Sequence, residues 1–392
     1  MGSSPPSTPP SRAPKDDERR LKDITSPCEW VEDYHPGGYH PVHLGDVFND
    51  GQYKVIRKLG EGSYSTVWLA RDLKHNIYVA LKILVSELSE PTRELEILRY
   101  LANTQPAEGG RYITQLLGEF KHHGPNGLHM CLVFEPMGPS VNSMVYELPQ
   151  FKPRKIWMNA LAFLHENGIS HGDFQPGNML FALDDINSKP EDELRQDMQG
   201  ESISPPVQRL DGKDDPWAPR YLCVAQPLAS YTPYADGFKI KLSDMGGAYF
   251  FADPPSKIIT PRGLRTPESV LTGTINKTLD VWSFGCLVFE LITGLPLFCI
   301  PGTGFEDDEH LLQLTARGVP EGKEPLMVQE NSMEESFDEA APELDEEEAC
   351  RVKALIRRIL QYDPAKRPLP AEILRDPWFC EEGTPQLLRM RI

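Results

Sequence analysis

Three short stretches combine the residue types that phosphate chemistry needs. Leu59-Gly60-Glu61-Gly62-Ser63-Tyr64-Ser65-Thr66-Val67 carries glycines that let backbone amides approach phosphate oxygens with no side chain in the way. Standing alone, such a run is equally a tight hairpin. His171-Gly172-Asp173-Phe174-Gln175-Pro176-Gly177-Asn178 sets a carboxylate and an amide five residues apart in what reads as a loop, a proton acceptor beside an oxygen ligand for a hard cation. Lys239 to Ser243 reads as a strand leading into Asp244-Met245-Gly246, which offers a second carboxylate to that cation, although a lone Asp-x-Gly is usually only a turn. Lys82 follows Val79-Ala80-Leu81 and adds a cation, which Glu94 or Glu96 could pair and hold in place. Phosphoryl transfer asks little covalent chemistry of a protein beyond positioning and charge neutralisation, and this set supplies those parts.

The elements that must position these residues are legible as patterns. Tyr53 to Ile56 and Thr66 to Ala70 read as the strands of a hairpin over the glycine turn, and Tyr78 to Ile83 as a third strand. Pro91 to Leu101, with Leu95, Leu98 and Leu101 three apart, reads as an amphipathic helix. Residues 277–293 are apolar nearly all round and stop at Gly294, the signature of a buried helix, and Arg351 to Tyr362 reads as a final amphipathic one. Residues 1–33 are set down as a disordered tail, their composition polar and proline-rich most markedly to about residue 27. Residues 184–237 are expected to be a mostly flexible insertion, 329–348 an acidic loop and 380–392 a C-terminal tail.

Composition bounds the partners. With 58 Asp and Glu against 40 Lys and Arg the net charge of −18 argues against a nucleic-acid surface and suits basic partners, or serves solubility alone. The seven cysteines are scattered without a Cys-x-x-Cys pair, which encourages neither a disulfide framework nor a zinc site and points to a reducing compartment. The longest apolar run, Val281 to Ile292, is too short for a membrane span and contains Glu290, so no membrane is expected.

In order and spacing these motifs resemble the protein kinases, joined by Thr266-Pro267-Glu268, Asp280-Val281-Trp282-Ser283-Phe284-Gly285 and Asp363-Pro364-Ala365-Lys366-Arg367-Pro368. Tyr34-His35-Pro36-Gly37-Gly38-Tyr39-His40-Pro41-Val42, with Ser65 in place of a third glycine ahead of Thr66-Val67-Trp68-Leu69, is similar to the SR-protein kinases, over roughly Tyr34 to Phe379. The resemblance implies an α+β, bilobal protein kinase fold, a small β-rich N-lobe over 34–135 and a larger α-helical C-lobe over 136–379. It implies ATP and Mg2+, with Lys82 on the phosphates and Glu94 as its partner, Asp173 as the base, and Asn178 and Asp244 as metal ligands. By the same resemblance Val67 and Ala80 above and Leu180 below sandwich the adenine, Glu135 to Met137 form the hinge, Phe134 is the gatekeeper, and Glu268 pairs with a buried Arg367. The implied activity is phosphorylation of serines in arginine-serine-rich proteins by a monomer in cytoplasm and nucleus. Glu306-Asp307-Asp308-Glu309-His310 is then an arginine-docking segment or, equally, a solvated acidic loop.

The chain departs from the family at four places. Gln175 replaces the catalytic-loop lysine, which removes a positive charge from the transition state. Gly172 replaces an arginine that grips phosphorylated activation loops in many kinases and that SR-protein kinases also lack. Pro149 and Pro153 shorten the helix before the catalytic loop to about Arg154 through Glu166. Finally, His171-Gly172-Asp173 with Asn178 also resembles aminoglycoside and choline phosphotransferases. Two alternatives therefore stand beside an active kinase: a pseudokinase scaffold that binds ATP and basic partners, and a small-molecule phosphotransferase.

Overall fold

A computed structural model describes residues 19–89, 92–104, 108–144, 155–233, 238–299 and 332–380. The chain forms two compact units, one built from Met1–Asn103, Thr114–Pro139 and Phe181–Phe238, the other from Thr104–Ile113, Ser140–Leu180 and Lys239–Ile392.

The first unit is organised by a six-stranded sheet of β1 (Val47–Phe48), β2 (Tyr53–Gly62), β3 (Ser65–Asp72), β4 (Ile77–Leu84), β5 (Leu116–Gly124) and β6 (Gly127–Phe134), with helix α1 (Arg93–Asn103). The spatial order is β1-β2-β3-β4-β6-β5 and every pairing is antiparallel. Alternating β-branched and aromatic residues bury one face, where Val55, Trp68, Val79, Leu81, Cys131 and Val133 form a core. The expected hairpin, third strand and amphipathic helix are all present.

Two expectations on this unit are corrected. Residues 19–33 are not a disordered tail: Leu21 bridges Arg209, and Leu21, Val31 and Tyr34 form a small core with Leu222. The backbone amides of Arg20 and Leu21 both donate to the buried Glu32 carboxylate, at 2.7 and 2.6 Å. Nor is the 184–237 insertion a flexible excursion, for its described residues belong to the first unit and pack on it. Ile186, Leu194 and Leu228 share a cluster with Ile56, Leu69 and Tyr78. Gln196 Oε1 accepts from the Lys58 amide at 3.0 Å, and the Gln226 amide donates to the Lys58 carbonyl at 2.9 Å. This segment, through backbone and side-chain groups together, covers the edge that β2 leaves open, a role with no period for a sequence pattern to reveal.

The second unit is helical. Lys155–Glu166 packs against Glu108–Tyr112, Ile169–Ser170 and Ile240–Leu242. The expected shortening of this helix turns on Pro149 and Pro153, which lie outside the described residues together with the rest of 145–154. Leu279–Thr293 is buried on nearly every face and closes on Gly294 in the left-handed conformation, φ 72°. Met333–Ala340 and Glu346–Ile359 lie against it, Phe289 meeting Phe337 at 5.9 Å between ring centroids. The acidic loop is thereby corrected over its described part: Ser332 and Glu335 close a capping box that starts the first of these helices. Glu334 and Glu335 fill the first turn of one helix and Glu346, Glu347 and Glu348 that of the next, where the helix dipole favours them. Among the described residues no helix is long and apolar enough to cross a membrane. Glu306 to His310 and residues 381–392 lie outside the described residues.

Candidate active site

In the first unit Lys82 sits on β4, registered between Val67 of β3 and Leu132 of β6. That placement projects its ammonium to Glu94 on α1, with Nζ 2.6 Å from Oε1. Both side chains are largely buried, at 13 % and 7 % exposure, whereas Glu96 is exposed, so Glu94 is the partner. Ala80 is buried beside Val67's strand and pairs with Phe134, and Glu135 accepts from the Gln115 amide at 3.4 Å.

The glycine-rich turn joins β2 to β3, with Gly60 opposite Val67, Glu61 opposite Thr66 and Gly62 opposite Ser65. A Cβ on Gly60 or Gly62 would meet nothing within 4 Å, which leaves open space beside the backbone. Leu59 is half-buried, and Ser63 and Tyr64 are exposed at the tip. Support comes from residues that sequence reasoning missed. Tyr39 Oη donates to the Gly62 carbonyl at 2.6 Å. Lys58 is fully buried between the carboxylates of Glu29 and Glu61, and it donates to the Cys223 carbonyl at 3.0 Å. Burial pulls the Lys58 ammonium down, but the two carboxylates outweigh it and hold its pKa above the ordinary value. Contact with Lys58 at 3.0 Å ties Glu61 into the loop's base, and burial lifts the Glu61 carboxyl in spite of that cation. No sequence signal marks this role, because Lys58 shares its strand with Lys54, Arg57 and Glu61.

In the second unit the catalytic loop forms one 3-10 turn, Pro176–Asn178, after extended Gln175. Asp173 is its centre. Asn178 Nδ2 donates to Asp173 Oδ2 at 2.8 Å, and Gln175 Nε2 lies 2.8 Å from both Oδ1 and Oδ2. Burial raises the Asp173 carboxyl above its usual range, against His171 and the two amide donors, while Asp244 adds repulsion. Ser243, at the end of strand Ile240–Leu242, donates through its amide and hydroxyl to the Asn178 carbonyl at 2.8 and 2.9 Å. That ties the metal-ligand candidates Asn178 and Asp244 to one framework. Asp244 adopts φ 59°, the left-handed region, and accepts from the Gly246 amide at 3.2 Å. Leu180 is half-buried in the strand that follows the loop.

The loop is held from below by Asp280, which accepts from Ser170 Oγ at 2.7 Å, the His171 amide at 2.8 Å and the Gly172 amide at 2.9 Å. His165 Nε2 adds a contact at 3.0 Å. Burial alone pushes this carboxyl up, but His165, His171 and Ser170 hold it below the ordinary value. Gly172, at φ 74°, accepts through its carbonyl from Thr260 Oγ1. Arg367 is buried and meets Glu268 through two parallel hydrogen bonds of 2.7 Å, with Trp282 4.9 Å from its guanidinium, as the resemblance implies.

The protein kinase domain family matches residues 53–192 and 232–379. The serine/threonine-protein kinase SRPK of Physarum polycephalum is 31% identical over 90% of this chain and 91% of its own. Protein kinase dsk1 of Schizosaccharomyces pombe is 25% identical over 94% and 88%. The serine/threonine-protein kinase SKY1 of Saccharomyces cerevisiae is 32% identical over 48% of this chain and 29% of its own. A crystal structure of a kinase domain superposes with a TM-score of 0.55 over 87% of this chain and 98% of that one, at 24% identity, a likeness of fold alone.

Proposed function

We infer the function from the premise that this chain belongs to the protein kinase family and, within it, to the SR-protein kinases, with the two-lobed α+β fold and serine/threonine kinase activity of that family. Its reaction is the transfer of the γ-phosphate of ATP, with Mg2+, to serines of arginine-serine-rich proteins in cytoplasm and nucleus.

The residues fit those groups. Open space beside Gly60 and Gly62 admits a phosphate chain, and the Lys82–Glu94 pair presents a fixed cation to it. Asn178 and Asp244 form an all-oxygen donor set, the preference of a hard cation, which supplies charge neutralisation to the phosphate oxygens. Asp173 orients the serine hydroxyl and accepts its proton; lifted by burial, its carboxylate is a better base than an exposed one. The net charge of −18 favours a basic substrate. The observation that carries the reading is the hydrogen bond of 2.8 Å between Asn178 and Asp173, which fixes base and metal ligand in one loop.

The test is transfer of labelled γ-phosphate from Mg-ATP to an arginine-serine repeat peptide, beside an aminoglycoside and choline as acceptors. Transfer to the peptide, abolished by Asp173→Asn, is the expected result. Absence of transfer by the native chain and by Gln175→Lys, with ATP bound, would make the protein a pseudokinase. Transfer to a small acceptor alone would make it a small-molecule phosphotransferase.

A further inference from the structure

The residue that departs from the family at the centre of the loop has a defined partner. The Gln175 Nε2 atom is 2.8 Å from each oxygen of Asp173, a three-centre hydrogen bond, and Asn178 Nδ2 takes Oδ2 from a different direction at 2.8 Å. The orientation of the Gln175 amide is fixed by chemistry: turned over, it would set its carbonyl oxygen against both oxygens of a carboxylate. As placed, Oε1 faces Gly177, where even an added Cβ would leave 3.7 Å. Asn178 is itself anchored, donating to the Asp173 carbonyl at 2.8 Å and accepting from Ser243 through its own carbonyl. The carboxylate is therefore gripped by two neutral amides on short tethers within one loop.

We propose that Gln175 is a positioning residue that acts through Asp173: its amide fixes the plane and direction of the base carboxylate, and it does not act on the phosphoryl group being transferred. The proposal deepens the kinase reading and rests on it. A lysine at this position would divide its ammonium between the base and the phosphate, whereas a primary amide with both oxygens of Asp173 on its nitrogen is committed to the base. Orientation is what such a contact supplies: a base held in the attack geometry adds its full effect, and one free to rotate does not. The loss of transition-state charge noted from sequence is thus accompanied by a gain in rigidity of the base.

The test is a double-mutant cycle on the full chain with Mg-ATP and an arginine-serine repeat peptide. Gln175→Met keeps the length and removes the donor. It is expected to lower kcat by about tenfold to a hundredfold, the effect of losing one hydrogen bond to a charged group, with KM for ATP within about twofold. In the Asp173→Asn background the same substitution is expected to change nothing more, because a residue acting only through Asp173 has nothing left to act on. A further loss of equal size in that background, or a matching rise in KM for ATP, would place Gln175 on the phosphate and overturn the proposal. An unchanged kcat for Gln175→Met would overturn it as well.

A readout independent of turnover accompanies the cycle. The Gln175 side-chain amide resonances, identified by their loss in Gln175→Met, should move in Asp173→Asn; if they stay, the contact is absent in solution. Turnover with additive losses defeats this proposal alone. No turnover by the native chain defeats the kinase reading and the proposal with it.

Discussion

A Cβ placed on Gly172 would lie 2.2 Å from the carbonyl oxygen of Gly247, so the catalytic loop and the turn after Asp244 approach more closely than any side chain allows. Gly172 also holds φ 74°. Its replacement of the arginine found in many kinases is thus a packing requirement of this chain. Gly172→Arg should lower kcat rather than raise it and reduce stability by more than about 1 kcal/mol, from φ strain and displacement together. Peptide kinase assay and thermal unfolding together check this.

Asp173→Asn keeps the contact with Asn178 geometrically feasible but removes the proton acceptor. Transfer should fall by about 10² to 10⁴-fold, the usual share of a general base, while ATP affinity stays within a few-fold. Parallel kinetics and calorimetric titration with Mg-ATP separate the two effects.

The pair Lys82–Glu94 should behave as one unit. Lys82→Met and Glu94→Gln each weaken ATP use, and the double variant should be less impaired than the sum of the two, with a coupling of about 0.5–3 kcal/mol. Strict additivity in kcat/KM would show that the contact seen here is not the one used in turnover.

Lys58 offers a test of the N-terminal segment. Lys58→Met strands the carboxylate of Glu29, which is 3 % exposed, and should lower stability by about 3 kcal/mol or more, whereas Lys58→Met with Glu29→Leu should recover much of it. Deleting residues 19–33 should be about as damaging as the single change. Were those residues a dispensable tail, the deletion would leave the melting temperature where it was.

Acid sensitivity should reside in an imidazole cluster. His40 lies 4.7 Å from His122 and 4.9 Å from His129 by ring centroids, next to Phe48. Burial is the main reason all three are held below the ordinary histidine pKa, His40 down to about 3, with mutual repulsion adding to it and Asp46 opposing at His40 and His122. His43 and His123 are the other titratable neighbours. Folded-state values below the unfolded one mean that stability is fully present above about pH 6.5 and declines as pH falls, since the unfolded chain binds protons the fold refuses. The decline continues toward pH 3 for His40. Melting curves from pH 8 to pH 5 should show it, and His40→Phe should flatten it.

Much of the site was legible because phosphate chemistry constrains residue type and order along the chain: the glycine turn, Lys82, Asp173, Asn178 and Asp244 each announce themselves within a few residues of a strand end or loop. The strands around Trp68 and Leu81 and the helix ending at Gly294 were legible because burial imposes a period. The choice of Glu94 over Glu96 came from the family resemblance alone, since both lie on the same turn of α1; the ion pair with Lys82 and the exposure of Glu96 separate them in the structure. Not legible were Glu29, Tyr39, Gln196 and Gln226, whose contacts join residues far apart in sequence through irregular backbone. Low hydrophobicity suggested disorder there, but a few apolar anchors such as Leu21, Leu222 and Leu228, with polar groups closing a strand edge, are enough to order such a segment.

Because Gln196, Gln226 and Leu228 complete the edge and flank of a sheet whose strands end at Phe134, synthesis order matters. The ribosome delivers all six strands well before the segment that seals them, and in the interval β2 presents unpaired amides and the apolar surface of Ile56, Leu69 and Tyr78. The nascent first unit is thus a client for chaperones until residue 228 has emerged, and a message truncated shortly after Phe134 yields an aggregation-prone sheet rather than a free-standing nucleotide-binding lobe.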